Sequence, residues 1–114
     1  MSVVTPFPGR DRGAAVATFD RHELQRILDL YGRMVAAGHW RDYGLSFHPD
    51  VAIFAAFRRA TERPEARIEK RPQLRLKQGA FALIGEHGAV LRRGHDLNGV
   101  LAPLERRLMR LVAE

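Results

Sequence analysis

Apolar residues recur along this chain in two rhythms, and the switches between them mark its elements. Leu24, Ile27, Leu28, Tyr31, Met34 and Val35 return every three or four positions, while Arg21, Gln25, Arg26, Asp29 and Arg33 occupy other faces. That spacing predicts an amphipathic helix. Thr18 or Asp20 can cap its start, Glu23 suits the positive end of its dipole, and Gly38 can end it in a left-handed conformation. Gly32 costs about 1 kcal/mol relative to alanine inside a helix, and it leaves room for another backbone to approach.

From Arg41 the period drops to two. Tyr43, Leu45 and Phe47 alternate with Asp42, Gly44 and Ser46, which predicts a strand, and His48, Pro49 and Asp50 turn it into the next. Residues 51–71, V-A-I-F-A-A-F-R-R-A-T-E-R-P-E-A-R-I-E-K-R, read as a hairpin around which the rest is arranged. Glu62, Pro64 and Glu65 mark its loop. A register setting Phe57 opposite Ile68 joins the apolar sets of both strands on one face. The same register gathers Arg58, Arg67, Glu69 and Arg71 on the other face, with Phe54 among them.

After Pro72 comes a basic connection with room for a short strand around Leu74 and Leu76. A second hairpin then runs through residues 80–84 and 89–93 across the turn Gly85, Glu86, His87, Gly88. Leu97, Val100, Leu101, Leu104, Leu108 and Leu111 form the stripe of a closing helix, which Asp96 or Asn98 can cap. Pro103 must lie near its start or kink it. Residues 1–15, with Pro6, Pro8, Gly9 and Gly13, read as a flexible tail in which Arg10 and Arg12 add charge, and residues 15–19 suit a short edge strand. The expectation is a single α+β domain over residues 16–114: a mainly antiparallel sheet of about five strands with an amphipathic helix before it and another after it. Whether the helices share one face of the sheet stays open.

Composition narrows the chemistry. The 114 residues contain no cysteine, which removes disulfides, thiolate metal ligands and thiol nucleophiles. The apolar runs are too short for a membrane span or a secretory signal. Net charge is +6, and arginine and alanine are abundant throughout, as GC-rich coding alone would produce. The charge is more telling where it clusters: residues 58–77 hold eight basic and three acidic residues. The five histidines form no metal motif, although His48, His87 and His95 all fall in turns that could converge. Neither G-R-M-V-A-A-G nor G-E-H-G has the context of a phosphate cradle, and Ser2 and Ser46 are in no nucleophile elbow. No cofactor, metal or small-molecule substrate is implied, and an enzyme is not expected.

L-Y-G-R-M-V-A-A-G-H-W-R-D-Y (residues 30–43), F-R-R (57–59) and R-I-E-K-R-P (67–72) resemble segments of a family of short bacterial proteins of unknown function. The resemblance runs from about residue 19 to residue 108. It implies a bacterial, cytoplasmic, non-secreted protein and brings no activity or site residue with it.

Two partner classes remain. The first is a nucleic acid, with Arg58, Arg67 and Arg71 on phosphates, Arg59, Arg63, Arg75 and Lys77 extending the track, and Phe54 stacking a base if uncovered. The second is a protein, or a second copy of this chain, met by Trp40, Arg41, Tyr43 and Phe54. The competing structural reading of Trp40 and Tyr43 is that they fold over the helix end and close the core.

Overall fold

The computed structural model describes residues 15–59 and 63–113. The tail at 1–14, with Arg10 and Arg12, and the loop residue Glu62 lie outside the described residues. The elements run α1 (Arg21–Ala36), β1 (Asp42–Phe47), β2 (Ala52–Phe57), β3 (Ala66–Lys70), a short 3-10 turn (Pro72–Leu74), β4 (Phe81–Gly85), β5 (Val90–Gly94) and α2 (Leu97–Ala113). The strands form one antiparallel meander in chain order, β1-β2-β3-β4-β5, so the fold is α+β as the periodicity predicts. Residues 15–20 are extended but pair as no strand, and the Leu74–Leu76 region is turn, with Leu76 fully out in solvent.

Local chemistry explains both helices. Asp20 accepts the Glu23 N–H and Glu23 accepts the Asp20 N–H, each at 2.8 Å, a reciprocal cap that satisfies two orphan donors of α1. Gly38, at φ 78°, closes the helix by donating to the Val35 carbonyl. In α2 the side chain of Asp96 caps Gly99. Pro103 lies within α2 rather than at its start, and it strips Gly99 of its intrahelical donor. Arg92, reaching across from β5, supplies the missing bond to the Gly99 carbonyl at 3.1 Å, and the helix continues.

Both helices pack on one face of the sheet. Ile27, Leu30 and Met34 of α1 and Val100, Leu101, Leu104 and Leu108 of α2 share a single core with Phe54, Ile68 and Leu83. The register corrects the expectation for the central hairpin. Phe54, not Phe57, stands opposite Ile68, with Ala56 opposite Ala66 and Ala52 opposite Lys70. A shift of three positions exchanges the faces of β2, so Ala52, Phe54 and Ala56 turn inward. Ile53, Ala55 and Phe57 share the open face with Arg67 and Glu69. The reason is that β2 is apolar on both sides, so its alternation cannot say which set is buried, whereas β3 alternates clearly and does place Ile68 inward and Arg67 outward. The aromatic demand of the core decides: Phe54 stacks on Tyr43 at 5.1 Å between centroids and meets Tyr31 edge-on at 5.9 Å.

Candidate anion-binding cleft

The chain of the first turn after α1, the end of β2 and the start of β3 converge at one end of the sheet. There Gly38, His39, Arg41, Arg58, Arg59, Arg63, Glu65 and Glu86 enclose an open cleft of about 660 Å³. Gly38 ends α1 and sends His39 and Trp40 back over the core. Trp40 is thus buried, and its indole N–H donates to Glu65 Oε1 at 2.6 Å. From the α2 side Arg107 donates to Glu65 Oε2 at 2.7 Å. Glu65 donates its own backbone N–H to Ala56, which closes the β2–β3 loop and fixes the carboxylate beneath the cleft.

Glu65 is therefore a buried anion answered from inside the protein. Burial alone would raise its carboxyl, but hydrogen bonds from Trp40 and Arg107, with the positive charge of Arg107, hold it below the usual carboxylate value. His39 moves the same way for a different reason. Burial pushes its imidazole below the ordinary value, Arg107 and Arg58 add to that, and Glu65 opposes it. His39 Nε2 lies 3.1 Å from Glu65 Oε1 but off line for a hydrogen bond, so this buried nitrogen has no hydrogen-bond partner among the described residues. Around the rim Arg58 Nε is 3.9 Å from Glu65, Arg63 reaches Glu86 at 3.8 Å, and Arg41 makes no ion pair among the described residues. Among the described residues the cleft walls carry four guanidinium groups against two carboxylates, one of which is already neutralised from below.

The residues singled out from sequence do not form one plane. Arg58, Arg59 and Arg63 line the cleft together with Arg41. Arg67 lies on the open sheet face, 3.7 Å from Glu69. Arg71 is at the opposite end, 3.6 Å from Asp50 and 3.5 Å from Glu69, and Arg75 and Lys77 stand exposed on the turn beyond. Phe54 has no exposed surface and Trp40 is 2% exposed, so neither can stack a base or anchor a partner. Of the second set only Arg41 and Tyr43 remain accessible. The turn histidines do not converge either: His87 follows β4 at the cleft end, while His48 and His95 sit at the other. No group of histidine and acidic residues suited to a metal ion occurs among the described residues. Glu65, His39 and Arg107 were missed as a set. Their link is tertiary, and the one local signal was a Trp beside a His immediately after a helix-ending glycine.

Residues 17–101 match a family described as "Protein of unknown function (DUF2794)". The chain belongs to the DUF2794 family. The match spans every cleft residue of this DUF2794 protein and ends before Arg107. No curated protein and no solved structure matches it. No described helix is long and apolar enough to cross a membrane.

Proposed function

We propose that this protein binds a phosphate-bearing polyanion, a nucleic-acid strand, in the arginine-walled cleft at one end of the sheet rather than across a sheet face. The observation that carries the reading is the convergence of Arg41, Arg58, Arg59 and Arg63 on one open cleft while the buried carboxylate below them is satisfied by Trp40 and Arg107. Glu65, already bonded from inside, competes only weakly for the rim arginines, with Arg58 approaching it no closer than 3.9 Å. Guanidinium groups in this arrangement suit the bidentate geometry of phosphate oxygens. Both oxygens of Glu65 are committed, so the cleft is equipped to hold an anion rather than to move a proton.

Fluorescence anisotropy of labelled single-stranded DNA, RNA and duplex over a range of salt tests it. Three or four neutralised phosphates on a single strand give a log-log salt slope of about −2 to −3. The double variant Arg58→Glu, Arg63→Glu should abolish that binding, and Arg75→Glu, Lys77→Glu at the far end should leave it nearly unchanged. No salt-sensitive binding at low ionic strength, or equal loss in the two variants, would sink the proposal.

A further inference from the structure

The two edges of the sheet are protected very differently. The pairing of β4 with β5 slips at a bulge between Leu83 and Ile84, and β5 carries Arg92 and Arg93, so a neighbouring strand would meet irregular backbone and charge. On the other edge β1, D-Y-G-L-S-F, is a regular strand of six residues with no proline and no lysine. The bond from the His48 N–H to the Val51 carbonyl at 2.9 Å sets its alternation. Even-numbered positions aim their backbone groups at β2, and Tyr43, Leu45 and Phe47 aim theirs away from the sheet. The Tyr43 N–H accords with this, since it is taken by the side chain of Asp42 at 2.9 Å instead of by a strand. Beside this edge the surface is apolar: Tyr43 is 41% exposed, Phe47 43% and Val35 of α1 40%. Gly32, on the same flank of α1, has open space where a side chain would be.

We propose that β1 is the seam of a symmetric homodimer in which two sheets join edge to edge about a two-fold axis at Leu45. Parity admits few registers, because both copies must keep their helices on one side and only odd positions offer outward backbone groups. The register centred on Leu45 sets it opposite Leu45 of the partner subunit and sets Tyr43 opposite the partner's Phe47. The Leu45 N–H then meets the partner's Leu45 carbonyl, and the Phe47 N–H meets the partner's Tyr43 carbonyl, each bond made twice by symmetry. The Asp42 cap on Tyr43 stays in place. On the open face the same register puts Asp42 opposite the partner's His48 at both ends of the seam, a carboxylate facing an imidazole N–H. A register centred on Gly44 offers no outward backbone groups on the axis and sets Asp42 opposite Ser46. The exposed β1 edge, the flanking aromatic surface and the self-complementary register, which sets Asp42 against the partner's His48, all select the same occupant, a second copy of this chain.

The absence of cysteine makes the test clean. Opposed residues in a hydrogen-bonded antiparallel pair have Cα atoms about 5.5 Å apart, within disulfide range. Mild oxidation of the full-length Leu45→Cys variant should therefore yield a covalent dimer, whereas Gly44→Cys, off the axis, should cross-link far less. Light scattering should give twice the chain mass for the natural sequence and half that value for Phe47→Lys, whose melting temperature should move by no more than a few degrees. A single-chain mass for the natural sequence up to several hundred micromolar overturns the proposal. So does a dimer that persists in Phe47→Lys while Leu45→Cys fails to cross-link. Neither result bears on anion binding in the cleft, which each copy holds complete.

Discussion

The two ends of the sheet contain the same kinds of side chain arranged to opposite effect. At the cleft end Glu65 is buried and bonded to Trp40 and Arg107, Glu86 meets Arg63 at the rim, and the arginines line a common space. At the opposite end the carboxylates are divided among the cations: Glu69, as buried as Glu65, lies between Arg67 and Arg71, while Glu23 and Asp50 stand nearer the rim. Lys70 meets Glu23 at 2.7 Å, Arg71 lies between Asp50 and Glu69, and the exposed Arg75 and Lys77 project from a turn whose neighbouring hollow is walled by Ala15, Val16, Ala17, Pro49 and Pro72. Convergence, rather than the number of basic residues, separates a candidate ligand site from a solvated surface. Six units of excess positive charge say little until the fold decides which cations share a space.

The strongest way to break that contrast is to remove its buried member. Glu65→Ala leaves Arg107 and the Trp40 N–H without their acceptor in a dry setting, and should cost about 3–5 kcal/mol in urea denaturation. Asp50→Ala, its counterpart at the far end, removes a long and exposed ion pair and should cost about 0.5 kcal/mol or less. Equal losses would mean that burial does not distinguish the two carboxylates. Glu105 supplies an intermediate point. It accepts from Arg26 at 2.6 Å and from Arg33 at 2.9 and 3.0 Å, tying α1 to α2, and those arginines hold its carboxyl below the usual value against partial burial. A quarter of its side chain remains exposed, so solvent screening limits Glu105→Gln to about 1 kcal/mol. A cost as large as that of Glu65→Ala would show that helix docking, not the cleft floor, carries the charged network.

The difference between these regions also explains which parts of the molecule were legible in the sequence. Both helices, all five strands and the two hairpin turns follow from periodicity and capping residues, because those signals act over three or four positions. The β2–β3 register did not follow. V-A-I-F-A-A-F is apolar at every position, so only packing against Tyr31 and Tyr43 selects Phe54 for the interior. The cleft was half legible: Arg58, Arg59 and Arg63 stand close in the chain, but Arg41 comes from the other side of a strand pair and Arg107 from the last helix. Glu65 reads as a loop marker because Glu62 and Pro64 come just before it. Its burial depends on Trp40 and Arg107, which lie 25 and 42 positions away.

The smallest expected effect is also the most diagnostic of the cleft end. Burial keeps His39 below the ordinary imidazole value of 6.5, so the folded protein binds fewer protons at this site than the unfolded chain does. Stability from this source is complete above about pH 6.5 and is lost as the pH falls from there toward the folded value. Glu65, also depressed, acts in the same direction, but its window opens only below its ordinary value of 4.5. As the pH falls, the loss from His39 therefore begins before the loss from Glu65. Urea melts of the natural sequence should show unfolding free energy declining between pH 7 and pH 5.5. His39→Gln should flatten that interval while keeping the later decline below pH 4.5. Parallel curves between pH 7 and pH 5.5 would remove His39 as the group responsible. A phosphate-bearing oligonucleotide in the cleft should act against the depression, since an anion close to the imidazole favours its protonated form. Oligonucleotide affinity should then rise as the pH falls through this same window in the natural sequence and stay level in His39→Gln, a coupling that no ion pair at the far end of the sheet can reproduce.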